Sequence, residues 1–296
     1  MVRTISLITV VASLWATAAC SSDASNEPDS TTAQNTSKNF DQQAHDLLPK
    51  DIQARGTIIV TADPTYPPKG YLDEHKKYSG YEPEIAAALS GILGVKLVYP
   101  YLVAFDSIIP GISSGRFDTS GFNDTKERQK TLDFVDLLGA GSGVLVPKGN
   151  PKDLATKSLC GHSVGAAKGS IQAVTVLPQL NDKCKSQGEP AISVDQYTDE
   201  NTVKLALQAG RNEALMTDVQ TAGWIAKESD GKFELLADPV LDGMWGYGFE
   251  KGSSLVPAFK AALDKFVKSG EYQKILAKWG VEALALDEIK VNRATT

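Results

Sequence analysis

The sequence predicts an α/β protein of two domains, each a parallel sheet covered by helices. Three observations carry this reading. β-branched strand segments alternate with segments of helical period along the body of the chain, the pattern of βα units. The chain has 296 residues, and at about 150 residues per domain that is room for two. Hydrophobic residues are 42% and charged residues 22%, ordinary for a soluble globular protein.

The elements follow in order. Thr57 to Asp63 is a continuous β-branched run ending in a polar residue, a buried strand. Ile85, Leu89, Ile92 and Leu93 share one helix face. Lys96 to Tyr101 is a second strand, and Asp106 to about Ser113 a helix stopped at Ser114-Gly115. Thr119 to Phe122 is a short strand, followed by a short helix over Thr125 to Gln129. After Gly149-Asn-Pro151 the rhythm repeats: strand Ser163 to Ala166, helix from about Ser170, strand Ile192 to Val194, helix Asn201 to Ala209, strand Ala214 to Thr217, helix Val219 to Lys227. Two helices end the body, one lined by Leu255, Phe259, Leu263 and Phe266, the other by Tyr272, Ile275, Leu276 and Trp279.

The N-terminus reads as an export signal. Arg3 supplies positive charge, Ile5 to Ala16 is an apolar run too short for a bilayer, and Thr17-Ala-Ala19 precedes Cys20. A cysteine after Ala-Ala resembles the lipobox of bacterial lipoproteins, with Thr17 a departure. The resemblance implies cleavage after residue 19 and lipid on Cys20; the alternative is an ordinary signal peptide with Cys20 incidental. From Ser21 to about Asn39 the chain is polar and reads as a flexible tether, so we assign 1–19 to the signal peptide and 20–49 to the lipidated cysteine and tether. In an oxidising compartment Cys160 and Cys184 are expected to bridge; the alternative is two buried thiols.

The composition excludes several functions. Lys plus Arg is 30 against Asp plus Glu 36, a net charge of -6, which lacks the basic footprint of a nucleic-acid binder. Three cysteines and the scattered His45, His75 and His162 give no metal-ligand spacing; no metal and no cofactor is expected. No run of 18 apolar residues is present, so no ordinary membrane span is expected. Gly165-Ala-Ala-Lys-Gly-Ser170 lacks the order of a phosphate loop. No hydrolase elbow or acid/base carboxylate pair stands out, and the pattern argues for binding without chemistry.

Ligands of open α/β sheets bind beyond the carboxyl ends of strands. There stand Asp63 to Tyr66, Phe105, Ser120 to Asn123, Arg128, Ala167 to Ile171, and Asp218. An Arg can fork onto a carboxylate, although one in this position is more often solvated. Asp218 can accept an ammonium or merely cap the next helix. Tyr66 and Phe105 can be plain core or can sandwich a ligand side chain. Taken together, one Arg, one Asp and two aromatics after different strands fit an α-amino acid zwitterion.

These residues lie in motifs that resemble family 3 of the extracellular solute-binding proteins, the amino-acid receptors of ABC importers. The likeness runs from about Gln53 to Val281. Asp63-Pro-Thr-Tyr-Pro-Pro68 is similar to the first binding loop and Gly80-Tyr-Glu-Pro-Glu-Ile-Ala86 to the family signature. Phe105-Asp-Ser107, Gly115-Arg-Phe-Asp118, Asn123-Asp-Thr-Lys-Glu-Arg128, Gly246-Tyr-Gly-Phe249 and Gly270-Glu-Tyr272 follow in family order. The resemblance implies a two-lobed periplasmic-binding-protein fold of type 2, with two crossover hinge strands near Gly143 to Lys148 and Met244 to Phe249. Lobe 1 would be 50–145 plus 246–296, and lobe 2 146–245.

It also implies roles. Arg128 would clamp the ligand carboxylate, Asp218 take the ammonium, and Tyr66 and Phe105 stack on the side chain. Ser120, Gly121, Asn123, Ser170 and Ile171 would add hydroxyl and main-chain contacts, and Asp63 would meet a polar or cationic side chain. Lys69 stands where relatives often carry an apolar residue; pointing inward, it would favour an acidic side chain. The expected function is a lipid-anchored, monomeric amino-acid receptor on the outer face of the cell membrane, serving an ABC permease and binding no nucleic acid. The alternatives are a dehydratase enzyme on the same fold, or a sensory module.

Overall fold

The computed structural model describes residues 39–295; the signal peptide, Cys20 and most of the tether lie outside the described residues. The strand Thr57–Ala62 is flanked in parallel by Lys96–Leu102 and Thr119–Asp124. The helix Tyr81–Leu93 makes the crossover and buries Ile85, Leu89, Ile92 and Leu93. Pro83 is only the third residue of that helix, where its missing N–H costs no intrahelical bond. The same core receives Phe259, Leu263 and Phe266 from Leu255–Lys268, and Tyr272 and Leu276 from Glu271–Trp279.

A second parallel set follows: Ser163–Ala167 between Ser193–Tyr197 and Ala214–Asp218. Its helices include Leu177–Ser186, Glu200–Gln208 and Val219–Lys227. Val144, Val164, Ala166, Leu177 and Met216 form a separate core. Cys160 and Cys184 are joined by a disulfide with Cα atoms 5.6 Å apart, which fixes the segment before Ser163–Ala167 to the helix Leu177–Ser186.

Two long strands connect the sets. Leu132–Pro147 pairs antiparallel with Val240–Glu250 over its first half, and with Ala214–Asp218 and Phe233–Leu235 over its second. Val240–Glu250 pairs back onto Thr119–Asp124. The first connecting strand runs from Leu132 through Gly143 to Pro147. Its partner bulges between Trp245 and Gly246. A Cβ on Gly246 would stand 2.3 Å from the Val135 carbonyl oxygen, so the close strand approach requires glycine there.

Part of the stretch expected to be tether, up to residue 49, is folded. Gln42–Asp46 and Lys50–Arg55 are helical, and Ala44, Leu48 and Ile52 are buried in the first core. Leu47 stays exposed, and Asp41 caps the first helix through Ala44 N–H. The short helix expected over Thr125 to Gln129 is a 3₁₀ turn, Arg128–Lys130. A small sheet of Thr65–Tyr66, Gly70–Leu72 and Tyr78–Ser79 and a last strand Ala285–Val291 complete the chain. Among the described residues no helix is long and apolar enough to cross a membrane.

Candidate functional site

The site begins with Asp63, the first residue after Thr57–Ala62. Its Oδ1 accepts from the Thr65 N–H at 3.0 Å and the Thr65 hydroxyl at 2.6 Å, and its Oδ2 accepts from the Phe105 N–H at 3.0 Å. Burial pushes this carboxyl up, against the lowering by Thr65 and Lys69. One carboxylate thus ties the first loop to the 105 turn. It sets Tyr66 beside Phe105, with ring centroids 6.2 Å apart. Lys69 turns inward from this loop: it is 4% exposed, and its Nζ stands 4.3 Å from the Tyr66 ring centre.

Arg128 follows the strand Thr119–Asp124 and is held by its own surroundings. The Thr125 hydroxyl accepts from its main-chain N–H. Its Nη1 donates to the Asn123 carbonyl at 2.5 Å and its Nη2 to the Gly169 carbonyl at 3.1 Å. The guanidinium lies 5.3 Å from the ring centres of both Phe105 and Phe122. Burial lowers its pKa to about 10, opposed by Asp218, so it remains a cation at neutral pH.

Asp218 ends the strand Ala214–Asp218 and stands at the N-cap of Val219–Lys227, yet its side chain makes no cap hydrogen bond. Its Oδ1 accepts from Gln172 Nε2 at 3.1 Å, and its Oδ2 lies 3.5 Å from Lys69 Nζ. Gln172 also donates to the Ser142 hydroxyl at 3.0 Å and opens a π-helical turn, Gln172–Val176, a feature often found at functional sites. The Ser170 hydroxyl accepts from Ala173 N–H at 3.2 Å.

Seven of the sequence-predicted residues line one small cavity: Tyr66, Phe105, Asn123, Arg128, Ser170, Ile171 and Asp218, with Lys69 and Gln172 completing the wall. Asp63, Ser120 and Gly121 are not in that wall. Asp63 serves the loop as described. The Ser120 hydroxyl donates to the Thr61 carbonyl at 2.7 Å, and a Cβ on Gly121 would stand 2.3 Å from the Trp245 ring. Gln172 was not singled out in the sequence; its place two residues after Ser170, past a strand end, was the available signal.

The cavity encloses about 10 Å³, about one water and far less than a small-molecule site. The walls are held together by the Arg128–Gly169 hydrogen bond, the Lys69–Asp218 pair and a Lys168–Asp106 ion pair at 2.9 Å. Room for a small molecule opens there only if these contacts part. A larger groove of about 770 Å³ passes Trp224 and Trp279. Among the described residues it is lined by Lys227 and Lys278 but by no carboxylate, so it offers no side-chain counter-charge for an ammonium.

The architecture is the two-lobed α/β fold of periplasmic binding proteins. Residues 58–282 match the profile of bacterial extracellular solute-binding proteins, family 3, and the chain belongs to that family. Among its relatives is the arginine-binding protein ArgT of Corynebacterium glutamicum, 29% identical over 248 residues, covering 83% of this chain and 81% of that protein. Another is the lysine/arginine/ornithine-binding periplasmic protein of Escherichia coli, 27% identical, covering 75% and 87%. Among solved structures, an ancestral arginine-binding protein bound to arginine superposes with a TM-score of 0.68 at 31% identity, covering 76% of this chain and 98% of that one.

Proposed function

We propose that this protein is the receptor of an ABC importer: it captures an α-amino acid with a polar or charged side chain between its lobes and presents it to a membrane permease. Lobe 1 is assigned to 50–145 plus 246–296 and lobe 2 to 146–245, with a lipid on Cys20 holding the protein at the outer face of the membrane. The observation that carries the reading is the convergence of Arg128 and Asp218 on one cavity beside Tyr66 and Phe105. A zwitterion leaving water needs an opposite charge at each end. Arg128 supplies a fork for the carboxylate, and Asp218 accepts the ammonium in the place where Lys69 now sits. Asn123, Ser170 and Ile171 surround the carboxylate, Tyr66 and Phe105 cover the side chain, and Asp63, Ser120 and Gly121 hold the framework behind them. Hinge closure about Leu132–Pro147 and Val240–Glu250 converts occupancy into a shape that a permease reads.

A thermal-shift panel of the twenty amino acids with ornithine and citrulline tests this reading. A ligand at about 100 times its Kd adds about 2.7 kcal/mol of stability, so one or a few compounds raise the midpoint and the rest leave it unchanged. A panel with no shift at millimolar concentrations contradicts the proposal.

A further inference from the structure

We infer that Glu200 selects the side chain of the ligand, and that it selects a cationic one, a guanidinium or an alkylammonium. The inference rests on the amino-acid reading of the cleft and goes beyond it. Glu200 opens the helix Glu200–Gln208 and is 1% exposed. Its main-chain N–H donates to the Thr65 hydroxyl at 3.3 Å, which places it against the first binding loop. Neither of its carboxyl oxygens accepts a hydrogen bond of good geometry, and the Tyr66 and Thr217 hydroxyls, which lie close enough to interact with it, have no other partner. Three buried polar side chains held only by loose contacts with one another are costly. A cation with several N–H donors relieves the carboxylate and can orient both hydroxyls.

The charges around the cleft point the same way. Asp218 lines the cavity, Asp63 and Glu200 stand behind its wall, and Glu82 is buried near Lys69; the cations are Arg128 and Lys69. A ligand carboxylate on Arg128 and an ammonium on Asp218 cancel in pairs. Lys69 is then left alone against Asp63, and against Glu200 and Glu82 once these raised carboxyls lose their protons, an excess of negative charge. A cationic side chain reduces that excess, a neutral one leaves it, and an acidic one adds to it. Lys69 seats an alkylammonium between the Asp218 carboxylate and the Tyr66 ring, the place proposed for the ligand's α-ammonium. Its inward direction therefore does not mark an acidic ligand; it is a tethered cation that a ligand displaces from Asp218.

A proton is involved. Burial raises the Glu200 carboxyl to about 8, and Asp218 and Asp63 push it further while Thr217 and Lys69 oppose them. The groups that face it are Asp63, Tyr66 and Lys69 from the first loop, and Thr217 and Asp218 from the strand Ala214–Asp218; on its own helix, Lys204 lies one turn along. At neutral pH Glu200 holds a proton, and a cationic side chain expels it.

Calorimetry at pH 7 with L-arginine, L-lysine, L-citrulline and L-glutamate, in two buffers of different ionisation enthalpy, tests the inference. Arginine or lysine is expected to bind about 100-fold or more tighter than citrulline and glutamate, with release of about one proton. Glu200→Gln is expected to lower the arginine-to-citrulline affinity ratio by about tenfold or more and to abolish the proton release, which separates Glu200 from Glu82, the other raised carboxyl near Lys69. Citrulline or glutamate binding as tightly as arginine and lysine would overturn the inference while leaving the amino-acid reading intact. So would a Glu200→Gln ratio within about threefold of wild type. If no amino acid in the wider panel binds, the amino-acid reading fails first. If Glu200→Gln loses its circular dichroism spectrum, the selectivity and proton release of the wild type decide.

Discussion

Arg128 illustrates what a single residue can and cannot announce. By sequence it is one of 30 basic residues, and alone it reads as solvated. It stands out only with the Asp, the two aromatics and the motif around it. Folded, it is buried and bonded to two carbonyls, an arrangement that keeps its planar fork pre-positioned. Asp218 was equally readable as a helix cap; its side chain instead meets Gln172 and Lys69. Asp218→Asn keeps the shape and removes the charge. It is expected to weaken amino-acid binding by about 2–5 kcal/mol, because it leaves the ligand ammonium buried without a counter-charge. Isothermal calorimetry reads this as a loss of about 30-fold or more in Kd; an unchanged Kd would move the ammonium seat elsewhere. Lys69 and Glu200 were the least legible residues. Long charged side chains ordinarily lie in solvent, and their inward direction is decided by the 65–79 sheet and by Thr65, not by any local period.

Elements were legible where their period was long. The helices Tyr81–Leu93, Val219–Lys227 and Leu255–Lys268 and the strands Thr57–Ala62 and Ala214–Asp218 each show their buried face in the sequence. The first half of Leu132–Pro147 was not, because it carries Asp133 and Asp136 within an apolar run. Asp136 is fully buried and accepts from the Arg293 N–H at 2.7 Å, a partner 157 positions away that no local pattern reveals. The strands of two or three residues between Thr65 and Ser79 are too short to have a period. The connecting strands also make a stability prediction. Gly246→Ala places a methyl group 2.3 Å from the Val135 carbonyl oxygen, and relieving that contact means pulling the two strands apart. The expected cost is about 1–3 kcal/mol, measured as a lower urea midpoint with an unchanged slope. An unchanged midpoint would mean that the bulge tolerates a side chain.

For the whole molecule, buried carboxyl groups set the pH dependence of stability. Burial raises Glu82 and Asp136 to about 7 and Glu200 to about 8, with Asp124 adding to the effect on Asp136. Unfolded, these groups ionise near the ordinary value of about 4. As pH rises above that value the unfolded state loses their protons while the folded state keeps them, so their contribution is full in acid and falls through the folded pKa. Glu213 works in the opposite sense: Lys152 and His162 hold it down to about 2, and its contribution is lost as pH falls through that range. Thermal midpoints of the ligand-free protein are therefore expected to peak near about pH 5 and to decline toward pH 8. Asp136→Asn and Glu82→Gln should each flatten that decline; a midpoint rising steadily from pH 5 to 8 would contradict the assignment.

The central claim is that Arg128 holds the carboxylate of an amino acid inside the cleft. The direct measurement is calorimetry of Arg128→Ala with the amino acid that the thermal-shift panel identifies. The variant should fold, since the guanidinium bonds only main-chain carbonyls at the cleft wall. It should lose affinity by about 30-fold to several thousand-fold, the cost of leaving the ligand carboxylate buried without its counter-charge. A well-folded Arg128→Ala that binds the same amino acid within about threefold of wild type would place the site elsewhere in the molecule.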